Sequence, residues 1–323
     1  MRLSVIIPVL NEQDNIDALT GELNSFFQYN TGYSAEVIFV NDGSTDQTVN
    51  RLKNANHSSY NARIISLSKN FGSHAALRAG VQLASGDFVT FLYADLQDPI
   101  ELLNTLLTKI KEDDADICWA HRDSTESSKT EKLFSKSYAY LMQRYAIQNF
   151  PKNGFDIVMF SRRVQDCLNH NIESNSSIFI QILSLGFNQT AVTYFKKSRL
   201  VGESKWTLSK KIKLLIDSFV AFSYAPIRLV SLVGVLFFIL GLLWTGYIVF
   251  RTLLFDDLVT GWPALMSILM LGFGITNISL GIIAEYLWRT LDASRKRPVF
   301  IIEEVAEINL LPKGQPTEEI HIL

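Results

Sequence analysis

Asp95 and Gln97 stand two residues apart in the stretch Phe91-Leu92-Tyr93-Ala94-Asp95-Leu96-Gln97-Asp98-Pro99. A carboxylate beside an amide carbonyl is the oxygen set that holds a hard cation against a diphosphate. Two other polar clusters have a related character: Pro8 to Glu12, and Asn41 to Ser44. Their side chains suit hydrogen bonds to a base or a ribose. The chain has no glycine-rich loop ending in Lys-Ser/Thr, and no Gly-x-Gly-x-x-Gly after its first apolar run. That disfavours a P-loop NTPase and a nicotinamide enzyme. The five histidines share no ligand spacing, and the two cysteines, Cys118 and Cys167, lie far apart, as in a reduced compartment.

Each polar cluster follows a strand-like run. Ser4 to Val9 is too short for a signal peptide's apolar segment and is broken by Pro8, so it reads as a first buried strand. Glu36 to Val40 precedes Asn41, and Gly86 to Phe91 precedes Tyr93. A third run, Arg63 to Leu67, leads into Ser68-Lys69-Asn70-Phe71-Gly72. Amphipathic segments separate these runs, so strand and helix alternate over roughly a hundred residues. That pattern predicts an α/β fold, a doubly wound, mostly parallel sheet. In such a sheet ligands bind at the carboxyl ends of the strands, which brings the three clusters to one edge. Pro99 suits the first turn of a helix, with Asp98 as its N-cap.

The motifs also carry a resemblance. Val5-Ile6-Ile7-Pro8-Val9-Leu10-Asn11-Glu12, Val40 through Asp46, Asn70-Phe71-Gly72 and Ala94 through Pro99 resemble family 2 glycosyltransferases of the GT-A fold. Within that family they are similar to the polyprenyl-phosphate glycosyltransferases. The likeness continues through Gly154-Phe155-Asp156 and Gly202-Glu203-Ser204-Lys205-Trp206, to about Arg297. The resemblance implies a UDP-hexose donor, with glucose as first expectation, and a polyprenyl phosphate acceptor such as undecaprenyl phosphate. It implies Mg²⁺ or Mn²⁺ held by Asp95 and Gln97. Pro8, Asn11, Glu12, Asp42, Tyr93 and Ala94 would line the nucleotide. Arg122, Lys132 and Ser135 would surround the lipid phosphate. Asp156 would face the acceptor, with Asp95 as the second catalytic residue. The family motif usually reads Asp-x-Asp, and Tyr93 stands at its first position, so Asp95 would carry the protein's share of charge on the metal. A phosphate monoester has its second pKa near ~6, so Asp156 is expected to orient the nucleophile more than to deprotonate it.

After Tyr194 the character changes. Lys196, Lys197, Arg199, Lys205, Lys210, Lys211 and Lys213 make a basic stretch, and Leu208 to Phe222 has one apolar face. A basic amphipathic helix suits a membrane surface, where Arg199 and Lys205 could clamp phosphates. Leu229 to Phe250 and Pro263 to Ile283 are each long enough to span a bilayer. Lys and Arg flank the pair of runs, and the loop between them holds only Arg251. Positive-inside then places the catalytic domain and both termini in the cytoplasm, in a multi-pass protein of the inner membrane. The expected divisions are 1–200 catalytic, 201–227 surface segment, 228–291 two transmembrane helices, and 292–323 a cytoplasmic strand and tail. Pro298 to Glu303 reads as an apolar strand needing a partner, either the catalytic domain or a neighbouring subunit. A net charge of -2 gives nucleic acid no support as a partner.

Overall fold

The computed structural model describes residues 1–122, 139–144, 147, 150–151, 157–171, 177–196, 225–255, 261–295 and 297–308. The chain divides into two compact units. Met1–Tyr140, Asn149–Lys211 and Pro298–Leu323 form the first, and Leu141–Gln148 with Ile212–Arg297 the second.

The first unit alternates strand and helix: β1 (Arg2–Val9), α1 (Ile16–Tyr29), β2 (Ser34–Asn41), α2 (Thr48–Asn54), β3 (Asn61–Leu67), α3 (Ser73–Leu83), β4 (Phe88–Phe91) and α4 (Leu102–Glu112). There follow β5 (Ile117–Arg122), β6 (Ile157–Ser161), α5 (Arg162–His170), α6 (Ile178–Ser184), β7 (Gln189–Tyr194) and, from the far end of the chain, β8 (Ile302–Ile308). One sheet takes the order β7-β5-β6-β4-β1-β2-β3-β8. β4, β1, β2 and β3 are parallel. β6 runs antiparallel to β4 and β5, β7 runs parallel to β5, and β8 runs antiparallel to β3. The carboxyl ends of β1, β2, β4, β5 and β7 therefore share one edge with the start of β6. β1 has β2 on one side and β4 on the other, so the order reverses at β1/β4, where an open α/β sheet leaves a crevice.

The strands are apolar on both faces because helices cover both. In β1 every residue from Leu3 to Ile7 is fully buried. Ile16, Leu19, Leu23 and Phe27 of α1 recur at helical spacing and join one core cluster with Leu103, Leu106 and Ile110 of α4. α3 lies on the opposite face, where a Cβ at Gly80 would collide with Ile6. At the edge away from the strand ends just described, the buried Glu36 accepts from Ser4 Oγ (2.6 Å), Ser85 N (2.7 Å) and Arg2 Nη2 (2.6 Å). Burial raises its pKa, but the bonds from Ser4 and Ser85 and the Arg2 charge outweigh it and hold the carboxyl below its ordinary value.

Two expectations are corrected. Asp98 does not cap α4. Turns from Pro99 lead into the helix, which begins at Leu102, and the Asp98 carboxylate turns instead toward Tyr194. The C-terminal strand is Ile302–Ile308, not Pro298 to Glu303. Pro298 has no N–H to give a ladder. The strand's partner is β3, in the sheet of the same chain's first unit, so it needs no second copy.

In the second unit, α7 (Ala225–Phe255) and α8 (Trp262–Ser294) have 31 and 33 residues. Among the described residues, Leu271–Asp292 is the segment long and apolar enough to cross a membrane; Leu232–Gly241 of α7 is a shorter apolar stretch. Thr276, Ser279 and Thr290 return their hydroxyls to carbonyls four residues back, so α8 satisfies these groups internally.

Candidate functional site

Three loops meet at the β1/β4 crevice, and the first two are stitched together. Asn11, at φ 52, donates its N–H to Ser44 Oγ (3.0 Å), and its Oδ1 accepts from Thr45 N (2.9 Å). Glu12 N donates to Thr48 Oγ1 (2.9 Å), and Glu12 Oε2 accepts from Asn15 Nδ2 (2.8 Å). Asp46 takes the N–H groups of Thr48 and Gln13. Burial would raise its pKa, but the bonds from Thr48 and Gln13 draw the carboxyl down. The loop after β1 is thus set by side chains of the loop after β2, with Pro8 and Glu12 partly exposed at its rim.

Asp42 is 3% exposed, and its two oxygens accept from Phe71 N (2.7 Å) and Gly72 N (2.9 Å). Burial pushes this carboxyl up, and the two N–H bonds offset part of the rise. The residue expected to touch the nucleotide therefore works here as a brace between the β2 and β3 ends. Gly43 makes that brace possible. Its φ is +75, and a Cβ would stand 2.7 Å from Asn70 N and 2.9 Å from the Lys69 carbonyl carbon.

The third loop alternates. Leu92, Ala94, Leu96 and Asp98 are buried, while Tyr93, Asp95 and Gln97 are partly exposed. The intended donors thus emerge together, and Ala94 can offer a nucleotide little beyond its backbone. Leu96 sits at φ 54 with its side chain 6% exposed in the core cluster. A left-handed leucine costs about 1–3 kcal/mol and persists only where its surroundings hold it. Asp95 Oδ1 accepts from Gln97 N at 3.3 Å across this turn. The chemistry of the pair fits Mg²⁺ or Mn²⁺. One carboxylate and one amide carbonyl are hard donors, too few for a protein cage, and right for a cation that shares its shell with water and substrate phosphates. Among the described residues no cluster of three or more His, Cys, Asp or Glu could hold a metal alone.

The residues expected around an acceptor are placed in part. Arg122 ends β5 and pairs in register with Tyr194, the last residue of β7, on the edge that carries the three loops. β6 begins at that same edge with Ile157, the residue after Asp156. Asp156, Lys132, Ser135, Arg199 and Lys205 lie outside the described residues, as do 208–222 and the 256–260 loop.

No local signal in the sequence marks Asp98, Tyr194 and Lys196 as a group. Tyr194 Oη donates to Asp98 Oδ1 at 2.6 Å, and Lys196 Nζ lies 3.2 Å from the same oxygen. Nor does any local signal mark His74. Both its ring nitrogens are buried without a hydrogen-bond partner, edge-on to Phe179, and burial, then the Arg78 charge, lowers its pKa to about 4. It is neutral at pH 7.

Residues 4–168 match the family described as Glycosyl transferase family 2. The chain is 32% identical to the uncharacterized glycosyltransferase YkcC of Bacillus subtilis, over 94% of each chain. It is 30% identical to the prophage bactoprenol glucosyl transferase homolog of Escherichia coli, over 94% of this chain and 99% of that one. It is 29% identical to the undecaprenyl-phosphate 4-deoxy-4-formamido-L-arabinose transferase of Yersinia pestis, over 98% of both.

Proposed function

Because the chain belongs to glycosyl transferase family 2, we propose that it transfers a hexose from a UDP-sugar to undecaprenyl phosphate or a related polyprenyl phosphate, with inversion. Glucose is the first candidate for the sugar. The observation that carries this reading is the partly exposed row Tyr93, Asp95 and Gln97 at the β1/β4 crevice. Near-full-length likeness to proteins named for bactoprenol and undecaprenyl phosphate supports the choice of acceptor.

The loops after β1 and β2 receive the nucleoside. Pro8, Asn11 and Glu12 contribute rim surface and polar groups, and Asp42 keeps Phe71 and Gly72 in place behind them. Tyr93 and the Ala94 backbone flank the diphosphate. Asp95 and Gln97 hold Mg²⁺ or Mn²⁺, which when bound supplies Lewis-acid stabilisation of charge on the diphosphate. Arg122, Lys132, Ser135, Arg199 and Lys205 receive the lipid phosphate. One of its oxygens bonds to the anomeric carbon as the bond from that carbon to the UDP oxygen breaks, and UDP leaves with the electron pair. The acceptor is already an anion at neutral pH, so the residues around it orient rather than deprotonate, and Asp156 is assigned that task.

The membrane reading joins α7 and α8 as two spans, with 201–227 on the cytoplasmic surface. Leu236, Leu243, Phe250, Phe273, Leu280 and Leu287 are each more than half exposed along these helices. That much apolar surface along two helices suits hydrocarbon better than water.

The test is transfer from radiolabelled UDP-glucose, UDP-GlcNAc, UDP-galactose and GDP-mannose to undecaprenyl phosphate by the full chain in detergent. Organic-phase label from UDP-glucose, dependent on Mg²⁺ or Mn²⁺, is expected. UDP binding without transfer from any donor would leave a non-catalytic donor-binding membrane protein.

A further inference from the structure

Asp98 is remote from solvent, yet it adjoins the row of donors at the crevice. Its side chain has no exposed surface, and Lys196 opposite is 17% exposed. Lys196 Nζ lies 3.2 Å from Oδ1 and 3.4 Å from Oδ2, and Tyr194 Oη donates to Oδ1 at 2.6 Å. Both partners come from the end of β7, which β6 and β5 separate from β4. At ~4.8 Å per strand β7 lies ~14 Å from β4 along the sheet, a gap that the loop after β4 and the side chains of Tyr194 and Lys196 close between them.

A reach of that kind holds something. Leu96 lies between Asp95 and Gln97 in a left-handed conformation that a leucine does not keep unaided. Its side chain is gripped by the core, and two residues later the backbone is gripped again through Asp98. The local bond across the turn, Gln97 N to Asp95 Oδ1, is long at 3.3 Å. A buried ion pair is a poor way to add stability, since apolar packing of equal volume does as well, but it defines one geometry.

We propose that Asp98, clasped by Tyr194 and Lys196, is a positioning residue that sets the direction of Asp95 and Gln97 toward the divalent cation. This rests on the reading that those two residues hold the metal. Asp98 does not itself reach the cation, because its oxygens face Tyr194 and Lys196.

The experiment follows Mn²⁺ binding by electron paramagnetic resonance to the full-length, UDP-loaded protein in detergent, with UDP affinity measured separately without metal. Asp98→Asn keeps the shape and removes the charge. It is expected to raise the Mn²⁺ half-saturation concentration at least ~10-fold, as loss of a group supporting a metal ligand does. Metal-free UDP affinity should stay within about twofold, a separation that general loosening of the fold would not produce. Lys196→Met should act like Asp98→Asn, and Lys196→Arg should return Mn²⁺ binding to within about threefold of the parent. Parental Mn²⁺ binding by a folded Asp98→Asn protein overturns the proposal. Should Asp98→Asn fail to fold, Tyr194→Phe decides, since it removes one hydrogen bond and leaves the ion pair. A rise of about threefold or more supports the proposal, and a parental value overturns it. Asp95→Asn runs beside them. If it keeps Mn²⁺ binding, the metal reading falls and the proposal with it. If it loses binding while Asp98→Asn and Tyr194→Phe do not, only the positioning role falls.

Discussion

At the scale of single residues, the site depends on side chains that are partly exposed among neighbours that are not. Asp95 is the one carboxylate of the row Tyr93, Asp95 and Gln97, so a cation there has one protein charge to lean on. Asp95→Asn keeps the volume and removes that charge. Metal-dependent transfer should fall at least ~100-fold, about 2.7 kcal/mol of transition-state stabilisation. Gln97→Ala should fall less, because water can replace a lost carbonyl. Tyr93→Asp should retain turnover and shift the ratio of Mg²⁺- to Mn²⁺-supported rates. A titration of each metal against initial rate reads all three, and an unchanged rate for Asp95→Asn at every metal concentration would remove Asp95 from the site. Asp42 needs separate treatment. Both its oxygens hold backbone N–H groups, so its replacement should disturb the 70–72 loop before it disturbs any ligand.

At the scale of elements, β8 is the part whose removal says most. It lies on β3 from Ala62 to Leu67, and the register shifts between Ser66 and Leu67. Lys53 pairs with Glu304 at 2.9 Å and Arg63 with Glu307 at 3.3 Å. Both pairs are partly exposed, at the surface, and add little. The ladder adds more, and Glu303, Glu304 and Glu307 keep the new outer edge charged, which discourages pairing with other chains. Truncation after Arg297 would bare the β3 edge. At about 0.5–1.5 kcal/mol per net hydrogen bond, a loss of about 3 kcal/mol is a modest expectation. With roughly 2–4 °C per kcal/mol for a domain of this size, the unfolding midpoint of the catalytic unit should drop by about 6–12 °C. A truncated protein that melts with the parent would show that β8 is an ornament of the sheet.

At the scale of the whole molecule, the order of segments makes a topological claim. The basic residues up to Lys213 precede α7, and Arg295, Lys296 and Arg297 end or follow α8. β8, beyond α8, belongs to the sheet of the first unit, so the chain that leaves this unit also returns to it. Both features are met if α7 and α8 cross the membrane as a pair with the 256–260 loop outside. In a protein whose Cys118 and Cys167 are replaced by serine, a cysteine at Asp257 should react with an impermeant thiol reagent in intact cells. One at Ser209 should react only after the cells are opened. The reverse pattern would defeat the arrangement.

How much of this could be read from the residues alone depends on how local each cause is. Alternation of apolar runs with amphipathic segments, and a polar cluster after each run, already placed Pro8 to Glu12, Asn41 to Ser44 and Tyr93 to Gln97 on one edge, because a parallel sheet leaves no other place for them. The row Asp95 and Gln97 was legible for the same reason: side-chain type and spacing of two are properties of a short stretch. Asp98 was misread because its local surroundings, a proline and a coming helix, are those of a cap, whereas its partners lie 96 and 98 residues away. The brace from Asp42 to Phe71 and Gly72 spans 29 and 30 residues. The pairing of β8 with β3 joins positions more than 230 apart, as the Arg63–Glu307 bond at 244 residues illustrates. A sequence records which groups can bond and how the chain prefers to bend. Which distant groups meet is decided only when the sheet order is complete, because burial then leaves each polar side chain one set of partners within reach.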